Sequence, residues 1–321
     1  MQLVLDTKDL KVDRRRNLFF IEAPDGTTRS VSPRKVTSIA VTQPCWISAG
    51  AVELAALHEI PILYFNFLGK AVARLSSPYF GSIATLRRRQ ALFHDTPDAT
   101  HWMVGLYLLK SEQQAENLRR LKPGHNAIEQ MKNLWKRIEA LAGTPLREAA
   151  APLMAAEAAI ARYYWQALSE LLPAHCNFEK RSRQPAQDDF NAALNYLYGM
   201  LYTTVESGLF AAGLDPHLGL MHADEYNKPV LAFDFIEPFR PWADWLLIQQ
   251  YLDHKVRAAF FNRNTAGVFL NKAGKAFFIP LFNQWLRSER AWANKKTSVK
   301  NHIYQLAGRF ANKLRTLNDS E

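Results

Sequence analysis

A histidine and two carboxylates lie close together within residues 213–244. His222 falls in a short loop, and an apolar run at residues 230–236 follows it, with Asp234 inside the run and Glu237 directly after it. If the run is helical, the three-residue separation places Asp234 and Glu237 on one face. Imidazole nitrogen and carboxylate oxygen suit a magnesium or manganese ion better than a soft metal. A core helix with a solvated end and a hydrogen-bonded histidine is the alternative interpretation.

A third carboxylate lies upstream, in a helix predicted for residues 145–172. Glu157 follows the three- and four-residue steps of an apolar stripe that includes Ile160. Burial of an unpaired carboxylate is strongly unfavourable, so Glu157 requires a cation, and a bound metal would supply one. Alternatively, Glu157 lies at the edge of the stripe and pairs with Arg162 or Arg147.

These residues fall in the second of two predicted domains. The chain has 321 residues, of which 48% are hydrophobic, enough for a sizeable core and more typical of two domains than of one. The first part reads as strands with one good helix at residues 48–59. The predicted strands are residues 2–6, 17–22, 27–31, 36–41, 60–67 and 70–75.

From about residue 82 the pattern becomes helical, with turn residues between the segments. The predicted helices are residues 83–94, 100–121, 127–141, 145–172, 188–212, 241–263, 275–287 and 300–317. The sequence therefore predicts an α+β protein, in which a small β-rich N-terminal domain (residues 1–82) precedes a larger, mainly α-helical catalytic domain (residues 83–321).

The composition indicates the compartment and the kind of partner. A net charge of +10 and a pI of about 9.6 favour binding to a polyanion such as nucleic acid, although a generally basic surface would give the same values. Cys45 and Cys176 are far apart and lack metal-site spacing, which favours the reducing cytoplasm. The short apolar start meets Asp6 almost at once, unlike a signal peptide, and no uninterrupted apolar run is long enough to span a membrane.

Clusters of basic residues are the candidate phosphate contacts. The loop before the helix at residues 188–212 is favoured, because it lies between the Glu157 helix and the helix that leads to His222. Each cluster could instead be an ordinary solvated face. The candidate DNA contacts are Lys180, Arg181 and Arg183 in that loop, Arg87, Arg88 and Arg89 after the domain boundary, Arg162 beside three aromatic residues, and Arg240.

The order of these motifs resembles the CRISPR-associated integrase family of spacer acquisition, the Cas-one family. The matching elements are an arginine- and proline-containing loop, an asparagine at a helix start, a GLDP turn, a histidine, and a D-x-x-E-x-F-R-P segment. They stand here at residues 181–185, Asn191, residues 213–216, His222 and residues 234–241. Upstream, Glu157 with residues 162–165 and the segment 38–75 are also similar to the family. The loop has fewer prolines than is usual, and Glu237 stands where some members have aspartate.

The resemblance implies a two-domain integrase. Its N-terminal domain would form the homodimer, and its helical domain would hold the metal and the DNA. Members assemble with the small partner protein Cas-two and insert short DNA fragments into a CRISPR array by attack of a 3′-hydroxyl on a backbone phosphate. They also act as metal-dependent nucleases on branched DNA.

By the same resemblance, Glu157, His222 and Glu237 are the expected catalytic residues and the ligands of one Mg²⁺ or Mn²⁺ ion. Asp234 is expected to orient His222 or to bind a metal-bound water. Arg240 is expected either to pair with Glu237 or Asp234 or to contact a phosphate.

Two other functions fit much of the same sequence. One is a non-catalytic DNA-binding assembly protein that has kept the fold. The other is a DNA-repair nuclease that acts on branched DNA without a role in CRISPR. The first needs no set of metal ligands, and the second predicts cutting without strand joining.

Overall fold

The computed structural model describes residues 2–36, 38–65, 71–77, 84–183, 185–221 and 228–317. The chain forms two compact units, Met1–Phe80 and Gly81–Glu321. The first unit is built mainly from strands and the second mainly from helices. The α+β class and the order of its parts are therefore confirmed.

Among its described residues, the first unit contains two four-stranded sheets, one α-helix and the short 3₁₀ helix Pro33–Lys35. In one sheet the order is β1-β5-β7-β8, with only the β7–β8 pair antiparallel, and in the other it is β4-β3-β2-β6, with only the β2–β6 pair parallel. The elements are β1 Gln2–Leu5, β2 Leu10–Arg15, β3 Leu18–Glu22, β4 Thr28–Val31, β5 Ser38–Val41, β6 Cys45–Ile47, α1 Ala49–Leu57, β7 Ile62–Phe65 and β8 Ala71–Leu75.

Local chemistry accounts for several of these boundaries. The strands predicted for residues 17–22 and 27–31 pair as the hairpin of β3 and β4, and Gly26, at a φ of +82°, allows its turn. Helix α1 begins where the Ser48 hydroxyl accepts a hydrogen bond from the Ala51 N–H, which makes Ser48 the N-cap. Strands β2 and β6 escaped the prediction, because β2 ends in arginines and β6 has only three residues.

The second unit is a bundle of helices with two small hairpins. Its helices are α2 Ala84–Phe93, α3 Pro97–Leu121, α4 Asn126–Glu139, α5 Leu146–Leu171, α6 Asp189–Ala211, α7 Val230–Phe235, α8 Arg240–Leu252, α9 Lys272–Arg287 and α10 Val299–Thr316. The hairpins pair β9 Phe261–Asn264 with β10 Gly267–Leu270, and β11 Glu289–Trp292 with β12 Lys295–Ser298.

The long helix predicted for residues 241–263 is wrong at its C-terminal end. Helix α8 ends at Leu252, and His254 then takes a φ of +53°, which turns the chain out of the helix. The Lys255 N–H closes this end by donating to the Gln250 carbonyl at 2.9 Å. Residues 261–264, at the end of the predicted helix, instead form strand β9, because they pair with β10.

Three segments of the second unit meet where the candidate residues lie. Helix α3 packs against α5, against α8 and against the 3₁₀ turn Glu237–Phe239 that joins α7 to α8. The run at residues 230–236 is helical over α7, which is the condition on which the sequence placed Asp234 and Glu237 on one face. Pro238 then blocks the continuation of α7, and the resulting 3₁₀ turn leaves Glu237 only 4% exposed.

Candidate metal centre

A buried lysine joins the two glutamates that the sequence singled out. Lys110, on α3, is 6% exposed, and its Nζ contacts Oε1 of Glu157 on α5 and Oε2 of Glu237 in the 3₁₀ turn. The two carboxylates are 80 residues apart in the chain (237 − 157 = 80), yet both lie within reach of one ammonium. The meeting of two glutamates at one ammonium makes this position the candidate metal centre.

The second oxygen of Glu237 has a cation of its own. Arg240 donates from Nη1 to Glu237 Oε1 at 2.9 Å, and its Nη2 donates to the hydroxyl of Tyr202. The guanidinium also lies 5.3 Å from the centre of the Tyr198 ring. Glu237 is therefore held between Lys110 and Arg240, one cation on each oxygen.

The charges in this cluster change the acidity of its neighbours. Burial acts to lower the pKa of the Lys110 amine, but the charges of Glu237 and Glu157 outweigh that effect and raise the pKa. Burial raises the pKa of Tyr107, and the negative charges of Glu237, Asp234 and Glu157 raise it further. Both side chains are thus protonated near neutral pH and can donate hydrogen bonds.

Asp234 is fully buried on α7 and holds the backbone that leads towards the candidate histidine. Its Oδ2 accepts hydrogen bonds from the N–H groups of Leu220 at 2.7 Å and Met221 at 3.2 Å. His222 itself lies outside the described residues. The expected role of Asp234 in orienting His222 stays a prediction, and the observed bonds fix the backbone immediately before that residue.

The described residues fit a hard divalent cation. The buried Glu237 and the half-buried Glu157 offer carboxylate oxygens that already meet at one positive charge, and such oxygens are preferred by Mg²⁺ and Mn²⁺. Within the described ranges, which stop at Met221 and resume at Lys228, no group of three metal-ligating side chains occurs. The proposed third ligand, His222, falls in that gap.

The alternative pairing considered for Glu157 is not observed. Arg147 lies 3.6 Å from Glu148 on the exposed first turn of α5, and Arg162 is exposed. Within the part of the chain that the structure describes, the cation paired with Glu157 is Lys110.

A second buried polar cluster lies seven residues further along the same three segments. Asn117 follows Lys110 on α3, Tyr164 follows Glu157 on α5, and Asp244 follows Glu237 (117 − 110, 164 − 157 and 244 − 237 each equal 7), which is about two helical turns. Asp244 accepts hydrogen bonds from the hydroxyls of Tyr164 at 3.0 Å and of Tyr198.

Asn117 completes this second cluster by tying α3 to its two neighbours. Its Nδ2 donates to the Tyr164 hydroxyl at 3.1 Å and to the Pro241 carbonyl at 2.7 Å. Burial raises the pKa of Asp244 to about 6, although the two tyrosine hydroxyls oppose the shift. The cluster therefore holds its carboxyl group with hydroxyl donors, whereas the first cluster holds its carboxylates with cations.

The basic loop before α6 is anchored by asparagines of that helix. Arg181 donates to Asn191 Oδ1 at 2.8 Å and to Asn195 Oδ1 at 2.6 Å, and Asn191 Nδ2 donates to the Lys180 carbonyl at 2.8 Å. Arg181 is thereby committed to the fold, while the side chains of Lys180 and Arg183 are exposed.

The other candidate DNA contacts also divide into exposed side chains and side chains held by internal hydrogen bonds. Arg88 and Arg162 are exposed, and Arg87 is half-buried. Arg89 donates to the Arg315 carbonyl at 2.6 Å, and Arg240 is occupied by Glu237 and Tyr202.

Sequence reasoning missed Lys110 and Tyr202. The signal for Lys110 was present, because the lysine follows the apolar stripe of α3 through Met103 and Tyr107, as Glu157 follows that of α5. Two lone charges of opposite sign, each in the apolar face of a long helix, indicate an ion pair between those helices. Tyr202 carried no comparable signal, because aromatic residues are common throughout α6.

Comparisons with known proteins identify the family to which this chain is similar. A family model described as CRISPR associated protein Cas1 matches residues 3–284 of the chain. A CRISPR-associated endonuclease Cas1 from Rhodospirillum rubrum is 30% identical over 300 residues, which cover 87% of this chain and 82% of that protein. Another, from Saccharolobus solfataricus, is 29% identical over 268 residues, covering 83% and 81%.

Solved structures show the same fold. A Cas1 protein from Thermotoga maritima superposes with a TM-score of 0.84 at 20% identity, covering 99% of this chain and 98% of that one. A casposase bound to its integration product gives a TM-score of 0.83 at 18% identity, covering 99% and 92%. The likeness extends over both units of the chain.

Proposed function

The chain belongs to the Cas1 (Cas-one) family of CRISPR-associated proteins, and we propose from this membership that it is a metal-dependent DNA endonuclease and integrase of CRISPR adaptation. It inserts short DNA fragments into a CRISPR array through attack of a 3′-hydroxyl on a backbone phosphate. Several relatives are CRISPR-associated endonucleases, which agrees with phosphodiester chemistry.

The observation that carries this proposal is the meeting of Glu157 and Glu237 at one cationic position. Together with His222 they would hold one Mg²⁺ or Mn²⁺ ion, and DNA phosphate and water would complete its ligands. When bound, the ion lowers the pKa of a coordinated hydroxyl and neutralises charge on the attacked phosphate. Non-catalytic binding would not need two glutamates converging inside the helical unit.

The residues around the centre would position the reacting groups. Asp234 fixes the backbone before His222, and Arg240 holds Glu237 through its second oxygen. Burial and the charges of Glu237, Asp234 and Glu157 raise the pKa of Tyr107, so its hydroxyl stays protonated and can donate a hydrogen bond. These contacts limit the movement of the carboxylates when DNA enters.

DNA would bind through the exposed basic residues of the helical unit. Lys180 and Arg183 lie in a loop whose backbone is fixed by α6, and Arg88 and Arg162 are exposed on their helices. Arg181 and Arg240 belong instead to internal networks, so their contribution to DNA binding would be indirect.

The partners proposed are a second copy of the chain, formed through the N-terminal unit, and the small protein Cas2. Solved structures with this fold include a Cas6-RT-Cas1–Cas2 complex, which supports Cas2 as a partner. The proposed place of work is the cytoplasm, where the free Cys45 and Cys176 would stay reduced. Among the described residues, no helix has the length and apolar character that crossing a membrane requires.

A strand-transfer assay tests this function. It uses a short duplex with free 3′-hydroxyls, a supercoiled plasmid, Mn²⁺, and wild-type protein with and without Cas2. Joined product is expected from wild type and not from His222→Ala or Glu157→Gln. Glu148→Gln is the matched control, because Glu148 lies on the same helix and is exposed.

The same assay separates the alternatives. Metal-dependent cutting without any joining would favour a repair nuclease. DNA binding that is unaffected by Mn²⁺, with neither cutting nor joining even when Cas2 is present, would contradict the enzymatic proposal and favour an assembly protein.

A further inference from the structure

Lys110 occupies the position at which the proposed metal ligands converge. We propose that the Lys110 ammonium and a divalent cation are alternative occupants of the space between Glu157 and Glu237, so that the lysine withdraws when the ion binds. This inference rests on the proposed metal site and adds a positioning residue to it.

The contacts of the two carboxylates carry the argument. Lys110 touches one oxygen of Glu157 and one oxygen of Glu237, and Arg240 takes the other oxygen of Glu237 at 2.9 Å. A cation shared by the two glutamates must therefore take an oxygen that a basic side chain already uses. Lys110 is the one that lies between them.

The charge balance points to the same exchange. The two glutamates carry two negative charges, and Lys110 and Arg240 carry two positive ones, so the charges of these four side chains balance. A divalent ion added beside Lys110 would place three positive charges within a few ångströms in a buried site, where repulsion is poorly screened. Withdrawal of the ammonium removes that repulsion.

The Lys110 side chain is flexible enough to withdraw, and one side of the cluster is open to solvent. Its ammonium lies at the end of a flexible four-carbon chain, whereas the planar group of Arg240 is held by Glu237, by the hydroxyl of Tyr202 and over aromatic rings. The Glu157 side chain is 26% exposed while that of Glu237 is 6% exposed, so the cluster opens to solvent at Glu157. We expect the ammonium to leave on that side.

Two consequences follow for the protein without metal. Lys110 keeps the glutamates together, since two buried carboxylates without a cation would repel each other. It also weakens metal binding, because each ion bound must replace an existing ion pair.

The first test is the affinity for Mn²⁺ alone, measured by calorimetry on the full chain. Lys110→Met keeps the unbranched apolar stem of the side chain and removes the competing charge, so the Kd should fall by about tenfold or more, which corresponds to about 1.4 kcal/mol. Lys132→Met is the matched control, because Lys132 pairs with Glu129 on the exposed face of α4 and its loss changes the net charge equally. An unchanged or larger Kd for Lys110→Met would overturn the proposal.

The second test uses wild-type protein and does not depend on the folding of a variant. Acetylation of each lysine by an N-hydroxysuccinimide ester is followed by mass spectrometry, with and without saturating Mn²⁺. The labelling rate of Lys110 should rise several-fold with Mn²⁺, while that of Lys132 stays constant. If Lys110 remains equally protected with the ion bound, the two cations share the site and the exchange is wrong.

These measurements also separate the inference from the function on which it rests. Failure of wild-type protein to bind Mn²⁺, or equal binding by Glu157→Gln, would remove the proposed metal site itself. Binding that Glu157→Gln abolishes, but that neither alters Lys110 labelling nor responds to Lys110→Met, would leave the metal site standing and refute only the role of Lys110.

Discussion

The helical unit contains two buried polar clusters built from the same three segments, and they solve the problem of a buried carboxyl group differently. The metal-centre cluster (Lys110, Glu157 and Glu237) pairs carboxylates with an ammonium. The structural cluster (Asn117, Tyr164 and Asp244), seven residues along each segment, satisfies the carboxyl group of Asp244 with tyrosine hydroxyl donors, and Asn117 donates in turn to the Tyr164 hydroxyl. In each, α3 and α5 supply one residue apiece and the chain around the start of α8 supplies the third.

The two clusters differ in whether the group that binds the carboxylate can be exchanged. In the metal-centre cluster that group is an ammonium, and in the structural cluster it is a hydroxyl. An ammonium can be replaced by another cation without breaking the chain connections around it, because its bonds to the carboxylates are mainly electrostatic. The hydroxyl of Tyr164 donates to Asp244 and accepts from Asn117. Because this hydroxyl belongs to a side chain of the protein, no ion from solution can take its place. We infer that the structural cluster fixes the spacing of the three segments and that the metal-centre cluster uses that spacing for chemistry.

The strongest test of this division compares isosteric changes in the two clusters. Glu237→Gln should lower the rate of strand joining by at least roughly 100-fold, since even residues that only support metal ligands cost 10–100-fold when changed. Asp244→Asn makes the same change, from a carboxyl group to an amide, seven residues later in the chain. The joining rate of this variant, divided by the concentration of folded protein, should stay close to that of wild type. The measurement is initial joining rate in the strand-transfer assay, with folded protein quantified by circular dichroism. Equal loss in both variants would mean that the clusters do not have separate roles.

The sequence predicted the metal-centre cluster better than the structural one. Glu157, Asp234 and Glu237 stood out because a carboxylate in an apolar segment is rare, and the structure buries Asp234 and Glu237 fully and Glu157 partly. The lone charges of Glu157 and Lys110 indicate an ion pair, but spacing alone could not give its geometry, since the relative rotation of the two helices depends on the packing of the whole unit.

Asp244 and Tyr164 escaped notice for a related reason. Tyrosine in an apolar stripe reads as core, and an aspartate in the second turn of a helix reads as an ordinary solvated residue. The strand hairpins β9–β10 and β11–β12 were missed because each has strands of only four residues, which carry too few alternations to be recognised.

The next test removes the carboxyl group of the structural cluster. Asp244→Ala should lower the free energy of unfolding by about 2–4 kcal/mol, because the hydroxyls of Tyr164 and Tyr198 would lose a buried acceptor. Urea unfolding followed by tryptophan fluorescence measures the change. Asp253→Ala is the control, since Asp253 follows the end of the same helix, is exposed and pairs with Lys255 on the surface. A change as small for Asp244 as for Asp253 would contradict the structural role.

A pH dependence should mark the structural cluster. The pKa of Asp244 is raised from its ordinary value of 3.8 to about 6, so between these values the folded protein holds a proton that the unfolded chain has released. The contribution of this group to stability is therefore largest in acid and falls as the pH rises from about 4 to 6, by at most about 3 kcal/mol.

The contribution of Asp244 is isolated by comparing wild type with Asp244→Asn. Urea unfolding of both proteins at pH 4.5 and pH 6.5 gives two changes in unfolding free energy, and the wild-type change should contain an extra loss towards the higher pH. Other carboxyl groups titrate alike in the two proteins and cancel in the difference. Identical changes would show that Asp244 titrates at its ordinary pKa.

The smallest expected effect concerns a single hydroxyl in the structural cluster. Tyr164→Phe keeps the ring of a fully buried side chain but removes the donor to Asp244 and an acceptor for Asn117. The loss should be about 1–2 kcal/mol, because Tyr198 still donates to Asp244 and Asn117 still donates to the Pro241 carbonyl. Tyr163→Phe is the control on the adjacent, exposed ring. If Tyr164→Phe instead reduced Mn²⁺ binding while leaving stability unchanged, the hydroxyl would act on the metal centre, and the separation of the two clusters would have to be abandoned.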